Sequence, residues 1–438
     1  MVALSKLAAD RGWRVSSYNC YEVAHTWTPS CNQAAVDLLL AAFPFSFKTY
    51  ASLYLLSACF RCYKNPLKLD WTRLLTDTLR SSSFLTANAV LFIYSICKMR
   101  QSFGFWFTPL VGFLPGLLAS YCAILIERPK RRPMLALYLT NLASEVAFRM
   151  LVNRGYVRTV PRGQVLLFSV AMAGFMYLLR TGELDEDIAK LIRLIYCLTD
   201  GDILPENLPQ FTSRYLSKLR QRGTHRHPLC THQQTCVASA AEAFVRNFSG
   251  GLVVSSAITL LSNIRKGHIS VARALFSYRN VTLPLSLALM PAVYKATVCA
   301  VHHLYAVDNA RVHAFAGALS ALALVFFPNI NLSLYALWKL IDLFYQSAVE
   351  RGSLPQMPHG AVLLYTVATA FVLFTCCVEP HAVREGYFRF LNGLTGGNLS
   401  FVHRRQLDLF GWDSSRSFRD FRPVLDPKYT TWNPAFMR

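Results

Sequence analysis

The residue types able to do chemistry in this chain gather in a few places. Cys20, His25 and Cys31 lie in the run NCYEVAHTWTPSC at 19–31, and His225, His227, Cys230, His232 and Cys236 form a second group near the middle. Thiol and imidazole are the ligand types zinc prefers. Neither group follows a finger spacing, so both also read as solvated histidines and reduced thiols. His303 and Asp308 make an H-x4-D, the spacing at which a carboxylate orients a histidine base in some glycerolipid acyltransferases, but no glycine-rich or arginine motif for an acyl-donor phosphate follows it. Glu145 and Asp342 are carboxylates inside apolar sequence, where an ionised acid is costly and commonly functional. Each has a cation within reach on one helix face, Arg149 four residues after Glu145 and Lys339 three before Asp342. Such pairs either fix helix packing or line a polar path.

The elements that must position these residues are membrane helices. Of the 438 residues 53% are hydrophobic and only 16% charged, against roughly 25% charged in soluble domains. Residues 101–126, 312–338 and 352–378 carry almost no charge, and each run exceeds the roughly 20 residues that cross a bilayer core. Shorter runs at 81–97, 163–179, 247–264 and 280–294 add further spans. Lys6, Asp10, Arg11 and Arg14 interrupt the first twenty residues, so no secretory signal is expected. Cysteines inside apolar runs, Cys97, Cys122, Cys299, Cys376 and Cys377, read as small buried hydrophobes rather than a disulfide framework. The net charge of +21 suits anionic lipid headgroups. Nucleic acid is not expected, because no binding motif accompanies the charge. Walker, Rossmann, HExxH and GxSxG motifs are absent, and neither catalysis nor a cofactor is expected.

The chain repeats itself. Residues 135–171 align without a gap on 332–368, with identities that include Tyr138/Tyr335, Arg154/Arg351, Gly155/Gly352, Pro161/Pro358, Gly163/Gly360 and Val165/Val362. The register sets Glu145 over Asp342. The resulting expectation is an all-α polytopic integral membrane protein of two homologous helical modules. Residues 1–80 form a cysteine-containing region with one or two short or interfacial helices between 34 and 63. A first membrane module at 81–182 is followed by a basic connector at 183–247, a second module at 248–378 and a soluble tail at 379–438. Gly112 and Gly116 make a GxxxG, and Gly317 sits among Ala314, Ala318 and Ala321, small faces on which helix backbones approach closely. Arg128, Lys130, Arg131 and Arg132 follow one span while Arg154, Arg158 and Arg162 follow the next, so the positive-inside rule leaves orientation open.

Four segments together, NCYEVAHTWTPSC (19–31), SFLTANA (83–89), the core of 119–150 and LDPKYTT (425–431), resemble the transmembrane protein 135 family, also called peroxisomal membrane protein 52. A looser likeness is to the four-helix proteins of mitochondrial import translocases and peroxisomal membranes. The resemblance implies a multi-spanning protein of peroxisomal and mitochondrial membranes, linked to mitochondrial fission and to lipid and cholesterol handling. It supplies no catalytic residues. The expected partners are membrane lipids, including anionic headgroups and sterol, and organelle fission machinery, and oligomers are compatible with the sequence. The working expectation is a lipid held or passed in a groove between the repeats, lined by Glu145 and Asp342. The alternatives are a scaffold acting through connector and tail, and an acyltransferase using His303 and Asp308.

Overall fold

The computed structural model describes residues 14–61, 70–198, 227–232, 234–263 and 268–431. Its helices follow the order β1 (Val15–Ser16), α1 (Cys20–Val23), α2 (Cys31–Arg61), α3 (Trp71–Phe103), β2 (Trp106–Phe107), α4 (Phe113–Ile126), α5 (Arg132–Asn153), α6 (Gly163–Thr181), α7 (Glu186–Tyr196), α8 (Cys236–Asn263), α9 (His268–Leu275), α10 (Tyr278–Tyr305), α11 (Ala310–Ser320), α12 (Ile330–Glu350), α13 (Gly360–Val378), α14 (Glu385–Leu394) and α15 (Arg404–Leu407). Seven stretches among the described residues are long and apolar enough to cross a bilayer: Cys31–Cys59, Trp71–Phe103, Pro129–Asn153, Gly163–Thr181, Cys236–Leu260, Ala272–Tyr305 and Gly360–Val378. Leu39, Leu40, Leu53 and Leu56 of α2 and Val253 and Ile258 of α8 point outward, as lipid-facing surfaces do. The chain is an all-α, multi-pass membrane protein.

Three expectations about the spans change. Residues 34–61 belong to a single 31-residue helix, α2, rather than to short interfacial pieces; isolated Asp37 and Lys48 are outweighed by the apolar residues around them. The uncharged run 101–126 is not one span. Gly104 ends α3 in the left-handed region (φ 79°) with its N–H on the Arg100 carbonyl, which few other residues tolerate. Trp106 and Phe107 then pair antiparallel with Ser16 and Val15, and α4 has 14 residues, about 21 Å of helix. The run 312–338 breaks similarly, because Asn329 caps α12 through the Asn331 and Leu332 amides. Its first part, α11, has only 11 residues.

The chain divides into two compact units, the first made of Met1–Arg158 and Met357–Arg438, the second of Thr159–Gln356. These are not the modules drawn along the sequence at 81–182 and 248–378. In the first unit α2 packs on α3, α3 on α4, and both α4 and α5 on α13. In the second unit α8 packs on α10, α10 on α11, and both α11 and α12 on α6. The same contact scheme thus occurs twice, and in each the last helix belongs to the other repeat. The divided hairpins explain the identical columns of the alignment. After α5 the Gly155 and Tyr156 amides donate back to Val152 and Leu151, and after α12 the Gly352 and Ser353 amides donate back to Val349 and Ala348, a Schellman ending with glycine at positive φ (75° and 70°). Arg162 and His359, at matching positions before α6 and α13, share φ near 60° (58° and 60°).

Glycines set the helix spacing. A Cβ on Gly112 would lie 2.9 Å from Cα of Phe374, and one on Gly116 2.9 Å from Cα of Ala370, both on α13. On Gly317 it would lie 2.8 Å from the Met172 carbonyl oxygen of α6, and on Gly174 2.5 Å from a methyl of Leu340. Gly116→Val is therefore expected to destabilise the protein by about 1–3 kcal/mol, read as a lower melting temperature in detergent. Gly250→Ala, where an added Cβ meets nothing within 4 Å, should be neutral or stabilising by up to about 1 kcal/mol.

Candidate functional site

A cavity of about 520 Å³ lies within the first unit, inside the range of roughly 300–1,000 Å³ typical of small-ligand sites. Its wall is built mainly by α3 and α13, whose apolar residues Phe84, Leu85, Ile93, Leu373 and Cys376 face it, closed by Leu391 and Leu394 of α14. A few polar groups interrupt this surface. Asn88 donates to the Tyr365 hydroxyl at 3.1 Å. Arg384 and Trp27 also line the cavity, and Arg384 Nε and Trp27 Nε1 are buried without a hydrogen-bond partner among the described residues. An apolar chamber with sparse orienting donors fits a ligand that is mostly hydrocarbon with a polar end.

Glu145 reaches this wall indirectly. Its carboxylate, 5% exposed, accepts from Arg149 at 2.6 Å and from Arg384, so it holds the guanidinium that lines the cavity. Asp342 lies in the second unit and accepts from Lys339 at 2.9 Å, with its side chain 37% exposed. Each carboxylate is neutralised by its helical neighbour, and the structure gives them unlike surroundings.

The H-x4-D is not assembled. His303 Nδ1 donates to the Cys299 carbonyl at 2.9 Å. Asp308 instead accepts from His313 Nε2 at 2.8 Å and from Arg180 at 2.5 Å. The second histidine-cysteine group contributes Cys230, His232 and Cys236, gathered with Cys299 of α10; Cys20, His25 and Cys31 are gathered with Cys97 of α3. Sequence reading missed Cys97 and Cys299 because a thiol in an apolar helix looks like a hydrophobe. The available signal was positional: a cysteine lies in the second helix of each module, after a Cys/His group that opens the first. Basic connector residues Arg214, Lys218, Arg220, Arg222 and Arg226, with His225, lie outside the described residues.

Residues 17–152 match the family model described as the N-terminal cysteine-rich region of transmembrane protein 135. Over that stretch the chain is similar to the transmembrane protein 135 family. No solved structure matches it. The match spans Cys20, His25, Cys31 and Cys97 as well as α3 and its cavity face. Two of the family-like motifs at opposite ends of the chain meet in the first unit. Glu22, buried in 19–31, accepts from the Thr431 amide and hydroxyl at 2.9 and 2.8 Å, and Asn19 donates to the Tyr429 carbonyl at 2.7 Å.

The tail is part of the fold rather than an appended soluble segment. Arg404, 1% exposed, donates to the carbonyls of Cys376 and Cys377 at 2.8 and 2.7 Å, the last turn of α13, where a cation complements the helix dipole. Its guanidinium stacks 4.5 Å from the centre of Phe418. Burial pulls its pKa down to about 10, still charged at neutral pH. Arg404→Met leaves those carbonyls unpaired and should cost about 1–3 kcal/mol. Limited proteolysis should then release the segment after residue 400 faster than in the parent protein.

Proposed function

We propose that the chain is a non-enzymatic protein of peroxisomal and mitochondrial membranes that holds a lipid, sterol-like in having a rigid apolar body and one polar end, in the cavity of its first unit. The observation that carries this reading is the apolar chamber crossed by the Arg384, Trp27 and Asn88 donors. A sterol hydroxyl or lipid headgroup would satisfy a donor such as Arg384 Nε, and the hydrocarbon would fill the space among Phe84, Ile93 and Leu373. The likeness of residues 17–152 to the transmembrane protein 135 family supports the link to organelle lipid handling and fission. Short apolar helices at corresponding places in the two repeats, α4 and α11, are a further support, since such segments border the substrate path in transporters with internal repeats. Recruitment of fission machinery through the basic connector and the tail is the rival reading, and residues 199–226 of that connector lie outside the described residues.

Purified protein in nanodiscs, irradiated with a photoreactive cholesterol, should label peptides of α3 and α13. Ala89→Phe, which adds bulk at the cavity wall, should reduce that labelling several-fold without changing the melting temperature by more than a few degrees. Asp342→Asn, in the second unit, should leave it unchanged. Labelling confined to the outer faces of α2 and α8, or equal in all three proteins, would remove the lipid-holding reading.

A further inference from the structure

We propose that each repeat carries its own zinc site, with ligands Cys20, His25, Cys31 and Cys97 in the first and Cys230, His232, Cys236 and Cys299 in the second. Within each set the ligand atoms all lie within 4.8 Å of one another. Tetrahedral zinc with thiolate bonds near 2.3 Å sets neighbouring ligands about 3.7 Å apart. In the second set Cys230 Sγ is 3.9 Å from both Cys236 Sγ and Cys299 Sγ, and His232 Nε2 is 3.3 Å from Cys299 Sγ. The second set is thus near coordination geometry already, and the first is gathered within the same 4.8 Å.

The imidazoles are prepared in the same way in both. His25 Nδ1 lies 2.8 Å from the Thr28 carbonyl and His232 Nδ1 2.6 Å from the Gln234 carbonyl. A carbonyl only accepts, so Nδ1 carries the proton and the Nε2 lone pair is left for a metal, the arrangement that orients zinc-bound histidines. His25 is 0% exposed and its Nε2 has no hydrogen-bond partner among the described residues. A buried lone pair directed at three thiols is explained by an ion and costly without one.

Placement on the helices matches as well. Cys31 and Cys236 are the first residues of α2 and α8, while Cys97 and Cys299 lie near the ends of α3 and α10. Three residues beyond each of these last two stands a group with N–H donors able to stabilise thiolates on one Zn²⁺. Arg100, which donates to the Tyr18 carbonyl at 3.0 Å, serves the first site, and His302, with Nδ1 3.4 Å from Cys230 Sγ, serves the second. On binding, each ion takes the place of the three thiol protons, which pass to solvent. All the cluster cysteines are free of disulfides. Three sulfurs and one nitrogen in a closed tetrahedron select zinc over harder cations and describe a structural rather than catalytic site. Each ion would clasp the entry loop of its repeat to the second helix.

Full-length protein purified in detergent without added metal or chelator should contain about two zinc per chain by elemental mass spectrometry. Cys97→Ser and Cys299→Ser should each bring this to about one, the double variant to near zero, and Cys122→Ser, outside both clusters, should leave it at two. Independently of any variant, metal-stripped wild-type protein titrated with Co²⁺ should develop the intense visible absorption of tetrahedral cobalt thiolate, saturating at about two equivalents. The proposal fails if parent protein carries little zinc and Co²⁺ gives no such bands. It fails equally if the double variant keeps its zinc, if iron or copper is found instead, or if peptide mapping recovers disulfides among the six cysteines.

Discussion

A close helix approach in the first unit, Gly112 capping α4 and Gly116 within it against Phe374 and Ala370 of α13, joins a short helix of one repeat to the last helix of the other. In a bilayer, lipid tails are as apolar as leucine, so helices associate through close packing and polar contacts rather than through hydrophobic burial. Any side chain at these glycines would separate the helices and forfeit the dispersion contacts along the seam. The second unit solves the same problem with Gly317 and Gly174 around α6. Everything else in the architecture, including the cavity wall that α13 supplies and the placement of the tail, requires that the last helices be seated there.

Polar contacts then fix the ends of the two traded helices. Glu379, just past α13, accepts from Arg154 at 2.6 Å in the loop after α5. Arg404 binds the last carbonyls of α13, and Ser414 donates to the Val378 carbonyl at 2.6 Å. At the corresponding end of α6, Arg180 binds Asp308 beside His313, whose Nδ1 is 2.7 Å from the Tyr294 hydroxyl. The intramembrane acids are therefore chiefly fasteners, and Glu145 also orients a cavity-lining arginine. The histidine-cysteine clusters gather at the same end: Cys20 and Cys97 pack with Cys377 and Val378 of α13, and His302, 3.4 Å from Cys230, lies 3.7 Å from Asp308.

Much of this was legible in the residues. Long uncharged runs and the repeat alignment specify an all-α membrane protein with internal duplication, and the Arg-Gly shared by the two copies after α5 and α12 marks a turn that needs positive φ. What the alignment could not reveal is which repeat receives which last helix, because both arrangements bury the same residues in the same local hairpin. Uncharged length misled at 101–126, where one glycine and a two-residue strand pairing outweigh hydropathy. The fourth ligand of each thiol group was hidden by distance along the chain, since Cys97 and Cys299 meet their partners only once the first two helices of each module pack. Arg404 and the tail lacked any periodic signal, and their role depends on carbonyls that exist only at a finished helix end.

The central claim is that the final helices are traded between repeats. It is tested most directly by placing a benzophenone amino acid at Phe113 of α4, whose ring packs edge-on against Phe374 with centroids 6.5 Å apart, and mapping the photo-crosslinked peptide by mass spectrometry. The account predicts attachment within residues 370–377 of α13. Attachment instead to the equivalent stretch of α6, residues 173–180, would show that each repeat keeps its own last helix and would contradict it.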